Sequence, residues 1–174
     1  TSAQNNAFTG TVTAAGTGAN SEVITLTTAG TVAGLAGVET YVLAAGANAF
    51  TVGGTSQIVD ATTTGVNTVK TLGSLTATAN YSGAGTDDIL SVVDGTNIAA
   101  ATIGAAFDSL TFDATGVAGT NDVSMTLAQH NAFNGTVTAA GAGANGEKIT
   151  LTTAGTASGL AAVETYVLAA GANA

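Results

Sequence analysis

Side chains able to do chemistry are few and scattered. His130 is the sole histidine, cysteine is absent, and the only cations are Lys70 and Lys148, against 11 Asp and Glu. A nucleophilic triad needs a base and an orienting group beside its hydroxyl. His130 has Asn5 at the matching place of an internal repeat described below, so it is no shared catalytic base. Carboxylate pairs such as Asp108 with Asp113, or Asp87 with Asp88, have the residue type for glycoside hydrolysis. With 3 Tyr, 5 Phe and no Trp, the chain has little from which to build an apolar cleft around them. The glycine-rich loops lack the glycine–lysine signature that cradles phosphate between a strand and a helix. The residues therefore point away from an enzyme.

The acidic balance narrows the partners. A net charge of −9 and a pI near 4.1 exclude the basic patches that nucleic acid requires. Anionic membrane surfaces are disfavoured for the same reason. No apolar run approaches the length of about 18 residues needed to cross a bilayer, so membrane insertion is not expected, and no secretory leader is visible. Divalent cations remain possible guests of an acidic chain. The candidate ligands are Asp87 and Asp88, in the stretch Gly83-Ala84-Gly85-Thr86-Asp87-Asp88-Ile89-Leu90. Calcium takes 6–8 oxygens, more than this one stretch supplies, and the plainer reading is that both carboxylates solvate a turn. Thr11/Thr13, Thr25/Thr27 and Thr76/Thr78 each share a strand face in an extended chain. Ranked on a flat surface they would suit ice or a polysaccharide; equally, threonine is a good solvent-facing strand residue.

The element that must position all of this is a repeat. Residues 1–49 return as residues 126–174, with Gln4 matching Gln129, Phe8 matching Phe133 and Tyr41 matching Tyr166. The offset is 125, and 40 of the 49 aligned positions are identical. The chain reads as one full 125-residue repeat (1–125) followed by the start of the next (126–174), a window on a longer tandem array.

Between turns of Gly, Asn and Ala, short strands are expected at 9–13, 22–28, 38–43, 50–52, 57–61, 69–72, 76–81, 88–93, 110–114 and 122–127. Residues 29–37 read as a small-residue connection and Asp94-Gly95-Thr96-Asn97 as a turn. Residues 98–107 (IAAATIGAAF) read as the one helix, capped by Asn97, although Gly104 in its interior opposes it by about 1 kcal/mol. The expected core is Phe8, Ile24, Leu26, Tyr41, Leu43, Phe112, Met125 and Leu127. Within 38–43, Tyr41 and Leu43 compete with Val38 and Val42 for the interior.

Strands this frequent leave no room for the crossovers of βαβ units. The fold class is all-β: a β-solenoid-like stack of short strands in a tandem array, with β-sandwich repeats as the alternative. Few large side chains and many small ones suit a thin core whose rungs stack about 4.8 Å apart. A stack of this kind is not finished at its tips, so its natural partners are other copies of itself.

VETYVLAAGANAFTV (38–52), FDATGVAGTNDVSMTL (112–127) and GAGTDDIL (83–90) resemble modules of large bacterial surface proteins. These are the β-strand-repeat adhesins, S-layer proteins and related fibres, many exported by type I secretion. The last stretch is also similar to the calcium β-roll nonapeptide, from which it departs by lacking consecutive glycines and tandem recurrence. The resemblance implies an extracellular or cell-surface filament, layer or matrix fibre that assembles through strand-edge pairing. It also leaves open a calcium-stabilised adhesin stalk, and a threonine-faced ice- or polysaccharide-binding solenoid.

Overall fold

The structure, a computed structural model, describes residues 1–9, 12–13, 22–85, 87–113, 121–139 and 146–174. In chain order the elements are helix α1 (Ser2–Asn6) and strands β1 (Val23–Thr25), β2 (Thr31–Ala33), β3 (Thr40–Val42) and β4 (Asn48–Thr51). Strands β5 (Ile58–Ala61), β6 (Asn67–Lys70), β7 (Asn80–Gly83), β8 (Ile89–Val93) and β9 (Thr96–Asn97) follow. The chain continues through β10 (Thr102–Ile103), β11 (Ser109–Asp113), β12 (Asp122–Met125), α2 (Leu127–Ala132), β13 (Val137–Thr138), β14 (Lys148–Leu151) and β15 (Thr165–Val167).

Among the described residues every strand pair is parallel, and strands pair with those a turn away. The turn varies from 17 residues (Ile24 to Tyr41) to 27 (Leu110 to Val137). The result is a β-solenoid of about seven turns. An antiparallel sandwich is ruled out by the pairing. The described strands form three sheets: β1-β3-β5-β7-β10, β13-β11-β8-β6-β4-β2 and β15-β14-β12-β9.

Alternation along each strand sends one column of side chains inward. In the first sheet the column is Ile24, Tyr41, Val59, Tyr81 and Ile103. In the second it is Val32, Phe50, Val69, Leu90, Leu110 and Val137. The columns interlock, with the Tyr41 and Phe50 rings 4.8 Å apart. Only one layer of side chains from each sheet fills the interior, so medium-sized residues suffice. Where a large side chain is absent the backbones close in: a Cβ on Gly65 (φ +115°) would lie 2.5 Å from the backbone of Gly46 (φ +109°).

Most expected core positions are buried: Leu26, Tyr41, Leu43, Phe112 and Met125. Tyr41 and Leu43 do win the interior of β3, and Val38 is buried as well because it lies in the preceding turn rather than on the strand. Three positions differ. Phe8 is 62% exposed, Ile24 is half-buried, and Leu127 is half-buried at the head of α2, since Thr126 turns the chain out of β12.

The helix expected at 98–107 is not formed. Two i→i+3 turns, Ala101 N to Ile98 O and Phe107 N to Gly104 O, bracket the short strand β10 instead. The amides that a helix would use internally go to the rung before: Thr102 N to Ala79 O and Gly104 N to Tyr81 O. Gly104 passes close to that Tyr81 carbonyl, where a Cβ would sit at 3.1 Å. Asn97 does cap, its side chain accepting from Ala99 N, but it caps a turn. Strand β7 starts at Asn80, later than expected, because residues 76–79 form a turn of the same kind. The connection at 29–37 contains β2, and Thr96-Asn97 forms β9 rather than a turn. The strand expected at 9–13 lies partly outside the described residues; its repeat equivalent includes β13.

Candidate assembly interface and acidic row

The two copies of the repeat reproduce each other's hydrogen bonds. Leu35 N donates to Tyr41 Oη at 2.9 Å, and Leu160 N to Tyr166 Oη at 2.8 Å. Tyr41 Oη donates to Asn5 Oδ1 at 3.1 Å; at the equivalent node His130 Nε2 lies 3.1 Å from Tyr166 Oη. His130 is buried and its Nδ1 lies 3.0 Å from Asn131 Oδ1. The sole histidine thus replaces an asparagine in a structural node, with both ring nitrogens engaged. Burial pushes both tyrosine hydroxyls above their ordinary pKa, against a smaller opposing effect of the Leu35 and Leu160 amides.

Each copy opens with a helix held by a capping box, Thr1 with Gln4 and Thr126 with Gln129. Helix α1 covers the edge of β2. Asn5 Nδ2 donates to Ala33 O, Asn6 Nδ2 donates to Thr31 O, and Ala33 N donates to Asn6 Oδ1. The Thr-x-x-Gln signal stands twice in the sequence and would have located both helices.

What distinguishes the copies is what lies before them. Strand β14 pairs with β12 on one side and β15 on the other. Its equivalent β1 pairs, among the described residues, with β3 alone. The side chains follow. Phe133 is 2% exposed where Phe8 is 62%, and Ile149 is fully buried where Ile24 is half open. Gln129 Nε2 donates to Ile98 O and Ala101 O, closing the turn beneath α2. Around Gln4, Ala7 and Phe8 there is instead an open hollow of about 460 Å³. Lys148 pairs with Asp122 at 2.6 Å; its equivalent, Val23, is 55% exposed.

The opposite tip shows the converse. Phe133, Gly159 and Leu160 help line a hollow of about 450 Å³. In the first copy the corresponding floor, Gly34 and Leu35, is roofed by the next rung: Gly53 lies against Gly34, and Gln57 Nε2 donates to Leu35 O. Because β14 and β15 are β1 and β3 of the second copy, the third sheet of one repeat is the first sheet of the next. Successive repeats therefore hand a sheet on without interrupting its ladder.

The acidic candidates lie on a corner row of the second sheet. Asn48 Nδ2 donates to Asn67 Oδ1 at 2.8 Å, and Asn67 Nδ2 and N donate to Asp88 Oδ1 at 3.2 and 2.7 Å. The next rung places Asp108 there, its Oδ1 accepting from Asp87 N at 3.1 Å and from Ser109 Oγ at 3.2 Å. Asp88 is buried, and among the described residues its Oδ2 has no partner within hydrogen-bond geometry. Burial raises its pKa; the Asn67 backbone and side-chain amides oppose this, Asp108 adds to it, and the Ala84 amide opposes it weakly. Asp87 is exposed and has φ +84°, so the two adjacent carboxylates do not share a surface. Among the described residues no group of three or more His, Cys, Asp or Glu could hold a metal ion. Thr86 and the loops at 16–22 and 141–147, which share the Gly-x-Gly pattern, lie wholly or mostly outside the described residues.

The other candidates are dispersed. Asp113 pairs with Lys70 across an intervening strand at 2.5 Å, away from the corner that holds Asp108. Thr25 aligns with Val42, Asp60 and Ser82 along its row, so it starts no rank of threonines. Thr76 and Thr78 bond one another in a turn at 2.8 Å, and Thr11 lies outside the described residues. No described helix is long and apolar enough to cross a membrane.

Fold and site together define a class: a parallel β-solenoid unit whose leading surface matches one that its own second copy buries. No protein-family model, curated protein or solved structure matches the chain.

Proposed function

We propose that this chain is a structural segment of an extracellular bacterial filament, surface layer or matrix fibre, built from 125-residue units joined by strand-edge pairing. Its role is mechanical and involves no substrate turnover. The observation that carries this reading is the contrast between copies: the set Gln4, Phe8 and Ile24, open at one tip, is the set Gln129, Phe133 and Ile149 that a preceding rung buries. Parallel ladders leave unpaired N–H and C=O groups at an edge, and such edges recruit further strands. The extracellular setting rests on the resemblance to surface-protein modules. The test is electron microscopy and fibre diffraction of the concentrated protein. Filaments with a meridional spacing near 4.8 Å are expected. A protein that stays monodisperse at every concentration sinks the reading.

A calcium-stabilised stalk is the second reading, favoured by one observation, that Asp88 Oδ2, near Asp108, has no partner among the described residues. It requires the melting temperature to fall when a chelator is added, through linkage of binding to folding. An unchanged melting curve removes it.

A further inference from the structure

We infer that the face formed by β12 and the Ile98–Ala101 turn is a receptor for residues 1–49 of a second copy of this chain, and that residues 126–174 act as a built-in plug on it. The inference rests on the assembly reading only in taking a second copy as the partner.

The receptor is visible because it is occupied. β12 offers Asp122, Val123, Ser124 and Met125 to Lys148, Ile149, Thr150 and Leu151 of β14. The Ile98–Ala101 turn offers two carbonyls to Gln129. Met125 O accepts from Thr152 N at 2.8 Å and from Thr152 Oγ1 at 3.2 Å. At the 125-residue offset, the residues making these contacts in the first copy are Ile24, Thr25, Leu26, Thr27 and Gln4, identical in every case. The one difference in the strand is Lys148, replaced by Val23, which gives up the ion pair to Asp122. That pair is partly solvent-exposed, so its loss changes affinity by about fivefold or less.

The incoming segment also gains. Phe8 and Ile24 would pass from open to buried, as Phe133 and Ile149 are. Against this, the displaced plug gives up its β12–β14 and β11–β13 pairing and its tethered, high effective concentration. The plug therefore wins in a dilute solution of the intact chain. Weakening it should switch the chain to head-to-tail polymers in which every junction repeats the one between residues 125 and 126.

The full chain tests this. Ile149→Asp places a charge in a fully buried position of the plug and should give head-to-tail polymers, seen by sedimentation, at dilutions where the unmodified chain is a monomer. Adding Ile24→Asp should abolish them. The absence of cysteine permits a register check. Single variants Ser124→Cys and Thr25→Cys, mixed and oxidised, should form a heterodisulfide, because Ser124 stands opposite Thr150, the equivalent of Thr25. If Ile149→Asp fails to fold, Ile149→Ala carries the test, with the heterodisulfide yield expected to rise at least tenfold over the unmodified background. Polymers that persist with Ile24→Asp, or a yield that does not rise, overturn the inference. Filaments without the disulfide would reject this junction and leave the filament reading standing; the disulfide without filaments would do the reverse.

Discussion

At the scale of single residues, Asp88 is the most informative position. It occupies the third place of a row whose first two members are asparagines, each donating to the next. An amide has a donor where the carboxylate has Oδ2, which finds no partner among the described residues. A buried acceptor without a partner costs about 1–3 kcal/mol. Asp88→Asn should therefore raise stability at pH 7 by about 1 kcal/mol, read from urea denaturation. The pH dependence has a definite sign. The folded pKa lies above the ordinary 3.8, so the folded state holds the proton more tightly than the unfolded one. The stability this confers is complete below pH 3.8 and is lost as pH rises through the raised value. The wild type should thus lose stability relative to Asp88→Asn across that window and run parallel to it above. If calcium held Asp88, the same variant would instead be less stable at neutral pH when calcium is present. Asp88 was legible as a candidate from its type alone. Its burial was not, because only the rung register places it behind Asn67.

At the scale of elements, the strands were legible and the turns were not. Alternation in EVITLTT and VETYVL marks strands whatever their partners. The stretch IAAATIGAAF has helical composition and spacing, yet its amides find carbonyls of the preceding rung, a partner no local pattern reveals. The missed helices are the reverse case. Their Thr-x-x-Gln boxes are local signals, hidden inside a run that otherwise reads as loop. Two predictions belong here. Gln57 closes the turn at Leu35–Val38 much as Gln129 closes Ile98–Ala101: it donates to Leu35 O and Val38 O and accepts from Gly53 N. Gln57→Ala should cost about 3 kcal/mol, near 1 kcal/mol for each bond to a buried backbone group, and Gln57→Glu should restore only the Gly53 contact. Gly65→Ala should cost about 2 kcal/mol or more, since φ +115° and the Gly46 backbone both oppose a Cβ. Gly54→Ala, with its nearest neighbour at 4.0 Å, should stay within about 0.5 kcal/mol. Equal effects at Gly65 and Gly54 in thermal melts would show that rung stacking does not set the spacing.

At the scale of the whole molecule, stability is a sum over neighbouring rungs, so the same side chain has different worth at different places in the stack. Ile24 and Ile149 make the comparison clean, because they are equivalent positions in nearly identical segments. Ile149 lies between β12 and β15, and truncation to Ala should cost about 2–5 kcal/mol. Among the described residues Ile24 has β3 on one side only and is half-buried, so its truncation should cost about 1–2 kcal/mol, below the range for a fully buried isoleucine. The repeat was legible from 40 matching residues, but this asymmetry was not, since sequence identity alone makes the two positions look the same. The measurement is urea denaturation of both variants in dilute, monodisperse solution, then at concentrations where the protein assembles. In dilute solution the two costs should differ; on assembly the cost at Ile24 should climb towards that at Ile149 as a neighbouring copy covers β1. Equal costs already in the monodisperse protein would mean that the chain covers β1 by itself, and an edge so covered could not recruit a partner.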